Sequence, residues 1–184
     1  MYLNEINESE EQSFCLKKTI EKAKAGDEEA FISLIENYKL DLYRMGKSIL
    51  DSDEDVGDAM QETVLKAFRN IKKLEKAESF KSWLIKVMVN ECNNILRQKK
   101  KFITFDKLFK EEEYTDNYNL DKHPVLQAIR KLDEEFRKVV MLYYYEDFCV
   151  KDISETLEIS EGTVKSRLSR ARKKLFVLLK GGEF

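Results

Sequence analysis

Thr163, Ser166, Ser169, Arg170 and Lys173 fall on one side of a helix drawn at about 100° per residue, with Lys165, Arg167 and Arg172 on its flanks. Short hydroxyls and guanidinium groups in such a row suit the edges of bases in a DNA groove, and the flanking cations suit phosphates. Val164, Leu168, Ala171, Leu175 and Leu178 make up the opposite, dry face. An ordinary surface helix whose cations answer its own dipole would carry many of the same residues. The segment in front favours the first reading. Val150, Ile153 and Leu157 form a short apolar face, Glu158-Ile159 turns the chain, and Ser160 caps the next helix, which is helix-turn-helix spacing.

Two other sets have chemical potential. Asp55, Asp58 and Glu62 stand at i, i+3 and i+7 with Gln61 beside them, which puts three carboxylates on one helix face. That stripe reads as solvated surface or as a docking face for a basic partner. As a metal site it is poor, because one straight helix without histidine offers no enclosing geometry. Phe80-Lys81-Ser82-Trp83 opens a helix that ends in Arg97-Gln98-Lys99-Lys100-Lys101. Aromatics interleaved with cations suit unpaired nucleic acid, with rings stacking on bases and lysines tracking the backbone. The competing reading makes Phe80 and Trp83 core aromatics. No serine, cysteine or histidine constellation supports catalysis. His123 is the sole histidine, and Cys15, Cys92 and Cys149 show no Cys-x-x-Cys spacing, so neither a disulfide framework nor a zinc site is expected. No cofactor and no metal are expected.

The elements that must hold these residues read as helices throughout. The chain has 184 residues with one proline and six glycines, and abundant Lys, Glu and Leu, which points to an all-α protein. Gly26-Asp27 stops one helix and caps the next, where Phe31, Leu34, Ile35, Tyr38, Leu42 and Met45 recur at helical spacing. Ser52 caps a further helix with acids in its first turn. A break near residues 75–79 precedes the helix of Phe80, Leu84, Val87 and Met88. Residues 102–124 lose the period and end at Pro124, which reads as a flexible linker interrupted by Phe102, Phe105, Leu108 and Phe109. The expected organisation is two small helical domains: an N-terminal bundle over 15–101, the linker, and a C-terminal helix-turn-helix unit over 125–184.

Charge is segregated along this plan. The net charge is −2, yet residues 97–110 hold six basic residues against one acid, 111–121 hold five acids and no base, and 161–184 hold seven bases against two acids. Two basic blocks, each ending a helical pattern, favour a polyanionic partner. The first dozen residues are polar and acidic, unlike a secretory signal. Apolar runs such as Val139 to Tyr145 fall short of the roughly 20 residues of a membrane span. A cytoplasmic location without membrane insertion is expected.

Together these residues resemble an extracytoplasmic-function sigma factor, and the resemblance runs from about Lys17 to Leu179. Asp55-Val56-Gly57-Asp58-Ala59-Met60-Gln61-Glu62-Thr63 is similar to the family's polymerase-binding helix. Ser79-Phe80-Lys81-Ser82-Trp83-Leu84 resembles the segment that opens the promoter −10 element. Glu161-Gly162-Thr163-Val164-Lys165-Ser166-Arg167-Leu168 with Arg170-Ala171-Arg172 resembles the −35 recognition helix. The resemblance implies that Asp55, Asp58, Gln61 and Glu62 meet the coiled coil of the largest subunit of core RNA polymerase, with a further contact at the flap. It assigns Lys76, Ser79, Phe80, Lys81, Trp83, Arg97, Lys99, Lys100 and Lys101 to −10 DNA. Ser160, Thr163, Lys165, Ser166, Arg167, Arg170 and Lys173 fall to −35 DNA, with Ser166 and Arg170 at base edges. It also implies an anti-sigma partner, membrane-anchored forms included, and no bond chemistry by the chain itself. The loop 74–79 departs from the family in lacking a glycine, and Gly57 inside a helix suggests close packing against a neighbour or partner.

Two further readings stand beside this one. A stand-alone helix-turn-helix regulator with an N-terminal ligand or dimerisation domain explains the C-terminal unit equally well, but leaves the acidic stripe and the aromatic-basic helix without a role. A magnesium-dependent nuclease built on Asp51, Asp53, Glu54, Asp55 and Asp58 is the weaker one.

Overall fold

The computed structural model describes residues 2–103 and 124–180, with side chains from 14 to 99 and from 124 to 180. Among the described residues there is no strand. The described residues form eight α-helices in succession: α1 (Tyr2–Ala25), α2 (Glu28–Lys47), α3 (Asp53–Asn70), α4 (Phe80–Ile103), α5 (Pro124–Arg130), α6 (Glu134–Tyr144), α7 (Val150–Leu157) and α8 (Glu161–Leu179). The all-α expectation holds, as do the two helical clusters, α1–α4 and α5–α8.

Local chemistry sets the boundaries. Gly26 ends α1 at φ +103°, a conformation that lacks steric cost only for glycine, and Asp27 then caps α2 by accepting from Ala30 N at 2.9 Å. Ser52 caps α3, whose first turn carries Asp53, Glu54 and Asp55 where the positive end of the helix favours them. Glu158 takes a left-handed turn at φ +55°, Ser154 Oγ donates to Ile159 O at 2.7 Å, and Ser160 caps α8 by accepting from Thr163 N at 3.1 Å. Cys149 occupies the N-cap position of α7 and is exposed.

α3 and α4 run antiparallel, fixed by Asp55–Lys99 at one end and by Thr63 against Met88 further along. α2 crosses both. At that crossing a side chain on Gly46 would sit 2.6 Å from Met88 Cε and 2.9 Å from Val56 Cγ1, so only glycine admits the approach. The same test at Gly57 meets nothing within 4 Å. Close packing against a neighbouring helix is therefore not what places that glycine.

The core does not stop at the boundary between the clusters. Leu34, Leu42, Met45, Leu84 and Met88 of the first belong to the same buried apolar assembly as Val139, Leu142, Ile153 and Val164 of the second. α4 lies against α7, and α2 against α6. α4 also continues to Ile103, two residues into the stretch expected as linker; the remainder of that stretch, 104–123, with Phe105, Leu108 and Phe109, lies outside the described residues.

Candidate nucleic-acid interface

α8 presents the row that the helical wheel anticipates. Val164, Leu168 and Ala171 are buried, with Leu175 and Leu178 packed beside them, while Lys165, Ser166, Ser169, Arg170 and Lys173 are exposed. The dry face is held down by α6 and α7, so the opposite face is rigidly displayed. Two residues of the set have local work. Ser160 spends its oxygen on the cap and shares a hydrogen bond of 2.8 Å with the half-buried Thr163. Arg167 is paired with Glu135 at 2.7 Å and is only a quarter exposed, so it is bound to α6 instead of standing free on the flank. Ser166 Oγ donates to Thr163 O at 2.9 Å, and Lys165 lies 3.8 Å from Glu161.

The aromatic-basic segment divides differently from the expectation. Phe80 is 1% exposed, packed between Tyr38 and Trp83 with ring centroids 5.5 and 5.9 Å away. A ring so placed has no surface to offer a base, and in this structure Phe80 is core. Its position at the first residue of α4 faces α2, which periodicity alone did not disclose. Trp83 is half-buried: it meets Phe80 and lines a cleft of about 720 Å³ together with Lys76, Ser79 and Lys86. Lys76 is exposed and Ser79 half-buried, with its carbonyl accepting from Ser82 Oγ at 3.0 Å. Lys81 is turned towards the C-terminal unit, 3.0 Å from the Glu146 carboxylate and 3.8 Å from Asp41. The loop before Phe80 forms two 3₁₀ turns, Ile71–Lys73 and Ala77–Ser79, with Lys76 extended between them at φ −118°. No residue in it takes a positive φ, so its shape makes no demand for glycine. Glu78 is tied to Lys17 of α1 at 2.8 Å, and that hydrogen-bonded ion pair holds its carboxyl below the usual range.

At the far end of α4, Arg97 is exposed and hydrogen-bonds Asn94 at 3.4 Å. Lys99 reaches back 2.5 Å to Asp55. Lys100 and Lys101 continue the helix, and their side chains lie outside the described residues. The acidic stripe is thus uneven. Asp55 is half-buried and bound to Lys99, whereas Asp58, Gln61 and Glu62 are exposed. These three line a groove with Arg97 and the buried Glu91, which pairs with Lys66 at 2.7 Å. Lys66 and Glu91 went unnoticed in the sequence because each looks like a solvated helix charge; their separation of 25 positions hides the pairing. Among the described residues no group of three or more His, Cys, Asp or Glu could hold a metal ion, and no helix is long and apolar enough to cross a membrane.

The chain that carries this exposed row, aromatic cleft and acidic face is similar to known proteins over most of its length. The family model of Sigma-70 region 2 matches residues 34–102, and that of Sigma-70, region 4 matches residues 122–175. The ECF RNA polymerase sigma factor SigM of Mycobacterium tuberculosis is 31% identical, over 84% of this chain and 80% of that protein. The RNA polymerase sigma factor SigV of Bacillus subtilis is 29% identical, over 86% of this chain and 96% of that protein. Among solved structures, the sigma factor RpoE of Bartonella quintana, in complex with the anti-sigma factor NepR, superposes with a TM-score of 0.71 at 25% identity, covering 82% of this chain and 96% of that one. The two family models together cover more than half of the chain, and the chain belongs to the sigma-70 family as a sigma factor of the extracytoplasmic-function type.

Proposed function

We propose that the chain binds core RNA polymerase and directs it to promoters by reading a −35 element with α8 and a −10 element with the cleft at the start of α4. The observation that carries the reading is the exposed row Ser166, Arg170 and Lys173 on a helix whose other face is buried at Val164, Leu168 and Ala171. Arg170 then meets base edges, and Lys165 and Lys173 meet phosphates. At the −10 element, Trp83 and the lysines about it receive the unpaired strand. Extruding a base costs a few kcal/mol of stacking, which a cleft with an aromatic wall is suited to return. Asp58, Gln61 and Glu62 form the docking face for the polymerase's basic coiled coil. The chain performs no bond chemistry of its own. RpoE of Bartonella quintana was solved with an anti-sigma factor, and the likeness supports an anti-sigma partner here as well.

The test separates docking from DNA contact. In size-exclusion chromatography with bacterial core polymerase, the wild-type chain should co-elute and Asp58→Arg should elute largely free. Its affinity for isolated duplex should be no weaker than wild type, since Asp58 lies on α3, away from α8. Equal co-elution of the two proteins would remove Asp58 from the docking face. Sequence-specific shift of a free duplex, without polymerase binding by either protein, would favour the stand-alone regulator.

A further inference from the structure

The loop in front of Phe80 has two sides. One lines the Trp83 cleft with Leu74, Lys76 and Ser79. The other carries Glu78, which is not among the lining residues and meets Lys17 of α1 at 2.8 Å. Hydrogen bonds close each end of the loop on itself, from Leu74 N to Ile71 O at 3.0 Å and from Ser79 N to Lys76 O at 3.1 Å. Ser82 Oγ, donating to Ser79 O, ties the second turn to α4. The extended backbone at Lys76 is the joint at which that turn can swing relative to the first.

α1 stands behind the loop. Leu16, Ile20 and Ala23 recur at helical spacing; Ile20 and Ala23 are buried, and Leu16 packs beside them. Ile71 and Leu74 of the loop belong to the same buried assembly, and α1 lies against α2 and against both 3₁₀ turns. The match to Sigma-70 region 2 begins at residue 34, so this helix lies outside it.

Magnitude decides what the Lys17–Glu78 pair can do. With side chains 48% and 61% exposed, it adds little to the stability of the whole chain. A short surface turn opens locally at far lower cost than global unfolding, so the same tie is a large share of what holds it. Ala77 is only half-buried and Glu78 is exposed, which leaves little apolar contact to do that work instead.

We propose that Lys17 is a positioning residue for promoter reading: through Glu78, α1 braces the Ala77–Ser79 turn from behind and so sets the shape that Lys76 and Ser79 give the −10 cleft. Lys17 acts through the loop and touches no DNA. This rests on the promoter-reading function proposed above and adds a determinant of its specificity.

Three variants of the full chain test it: Lys17→Glu, Glu78→Lys, and both together, which rebuild the pair with its charges exchanged. Wild type bound to core RNA polymerase first selects a preferred strand from a random pool of single strands of about 12 nucleotides, with core alone as the blank. Fluorescence anisotropy then gives, for each protein on core, the affinity for the selected strand divided by that for the pool. The ratio cancels the change in overall charge, which acts on every strand alike. Each single variant should lower the ratio about two- to fivefold, the exchanged pair should return it to the wild-type value, and melting temperatures should stay close to wild type. A wild-type ratio in either single variant overturns the brace. So does a loss that the exchanged pair fails to restore, or one that merely follows a fall in melting temperature. Failure of the wild-type complex to enrich any strand over core alone overturns the −10 reading itself, and the brace with it.

Discussion

Phe80→Ala separates a core ring from a DNA-stacking ring more sharply than any other substitution. The side chain is 1% exposed and lies between Tyr38 and Trp83. Truncating a buried phenylalanine costs about 3–5 kcal/mol, the lost transfer energy and the cavity together. Against a total stability of about 5–15 kcal/mol for a protein of ordinary size, that is a large fraction. At roughly 2–4 °C per kcal/mol for a chain of this length, the melting temperature should fall by about 6–20 °C. Thermal unfolding followed by circular dichroism reads the shift. Permanganate reactivity of −10 thymines, measured well below the variant's melting temperature and normalised to folded protein, reads promoter opening. A core role predicts that Phe80→Leu, which restores much of the apolar volume, opens the promoter normally under those conditions. Trp83→Ala should do the reverse, losing strand opening with a smaller thermal shift. A Phe80→Ala protein as stable as wild type but unable to open the promoter would refute the assignment and return that ring to the DNA.

Arg170→Ala should weaken −35-dependent initiation by about 1–3 kcal/mol, roughly 5- to 150-fold, if the guanidinium reads a base in bidentate fashion; run-off transcription on promoters with and without the −35 element measures it, and equal effects on both would take Arg170 off the reading row. Lys173→Ala should weaken binding evenly across sequences and reduce the salt slope by about one. Gly57→Ala should raise thermal stability, since the added methyl meets nothing within 4 Å and alanine is favoured over glycine in a helix by about 0.5–1 kcal/mol. Any loss of polymerase affinity in the same variant would show that a partner approaches this stretch of backbone closely. Burial pushes the Cys92 thiol up to about 12, so near pH 9 it is held almost wholly as the unreactive thiol. Iodoacetamide at about pH 9 should therefore label the exposed Cys15 and Cys149 and spare Cys92 until urea unfolds the chain. Labelling of all three in the native protein would contradict the packing of α4.

Much of this was legible because its causes are local. Asp27, Ser52 and Ser160 cap helices through bonds to residues three positions away, and those bonds are readable as spacing. The buried and exposed faces of α8 follow from a period of 3.6 residues once α6 and α7 supply the surface that covers one of them. What stayed hidden depends on partners distant in the chain. Lys81 reads as a DNA cation until Glu146, 65 positions on, is found against it. Lys99 and Asp55, 44 positions apart, look like members of two separate faces and are one ion pair. Gly46 and Gly57 are both helical glycines in sequence, and only the crossing of α2 over Val56 and Met88 shows that the first is sterically required and the second is not. Arg167 reads as a flank cation in sequence, and only the position of α6 brings Glu135 against it.

The central claim is that this chain confers promoter choice on a polymerase, and run-off transcription tests it most directly. Core RNA polymerase, with and without the purified protein, is supplied with a fragmented genomic library from the source, and the transcript starts are mapped. The account predicts new starts that depend on the protein and share two sequence blocks at a fixed spacing upstream, near −35 and −10. Starts identical with and without the protein, or protein-dependent starts that share no such blocks, would contradict it.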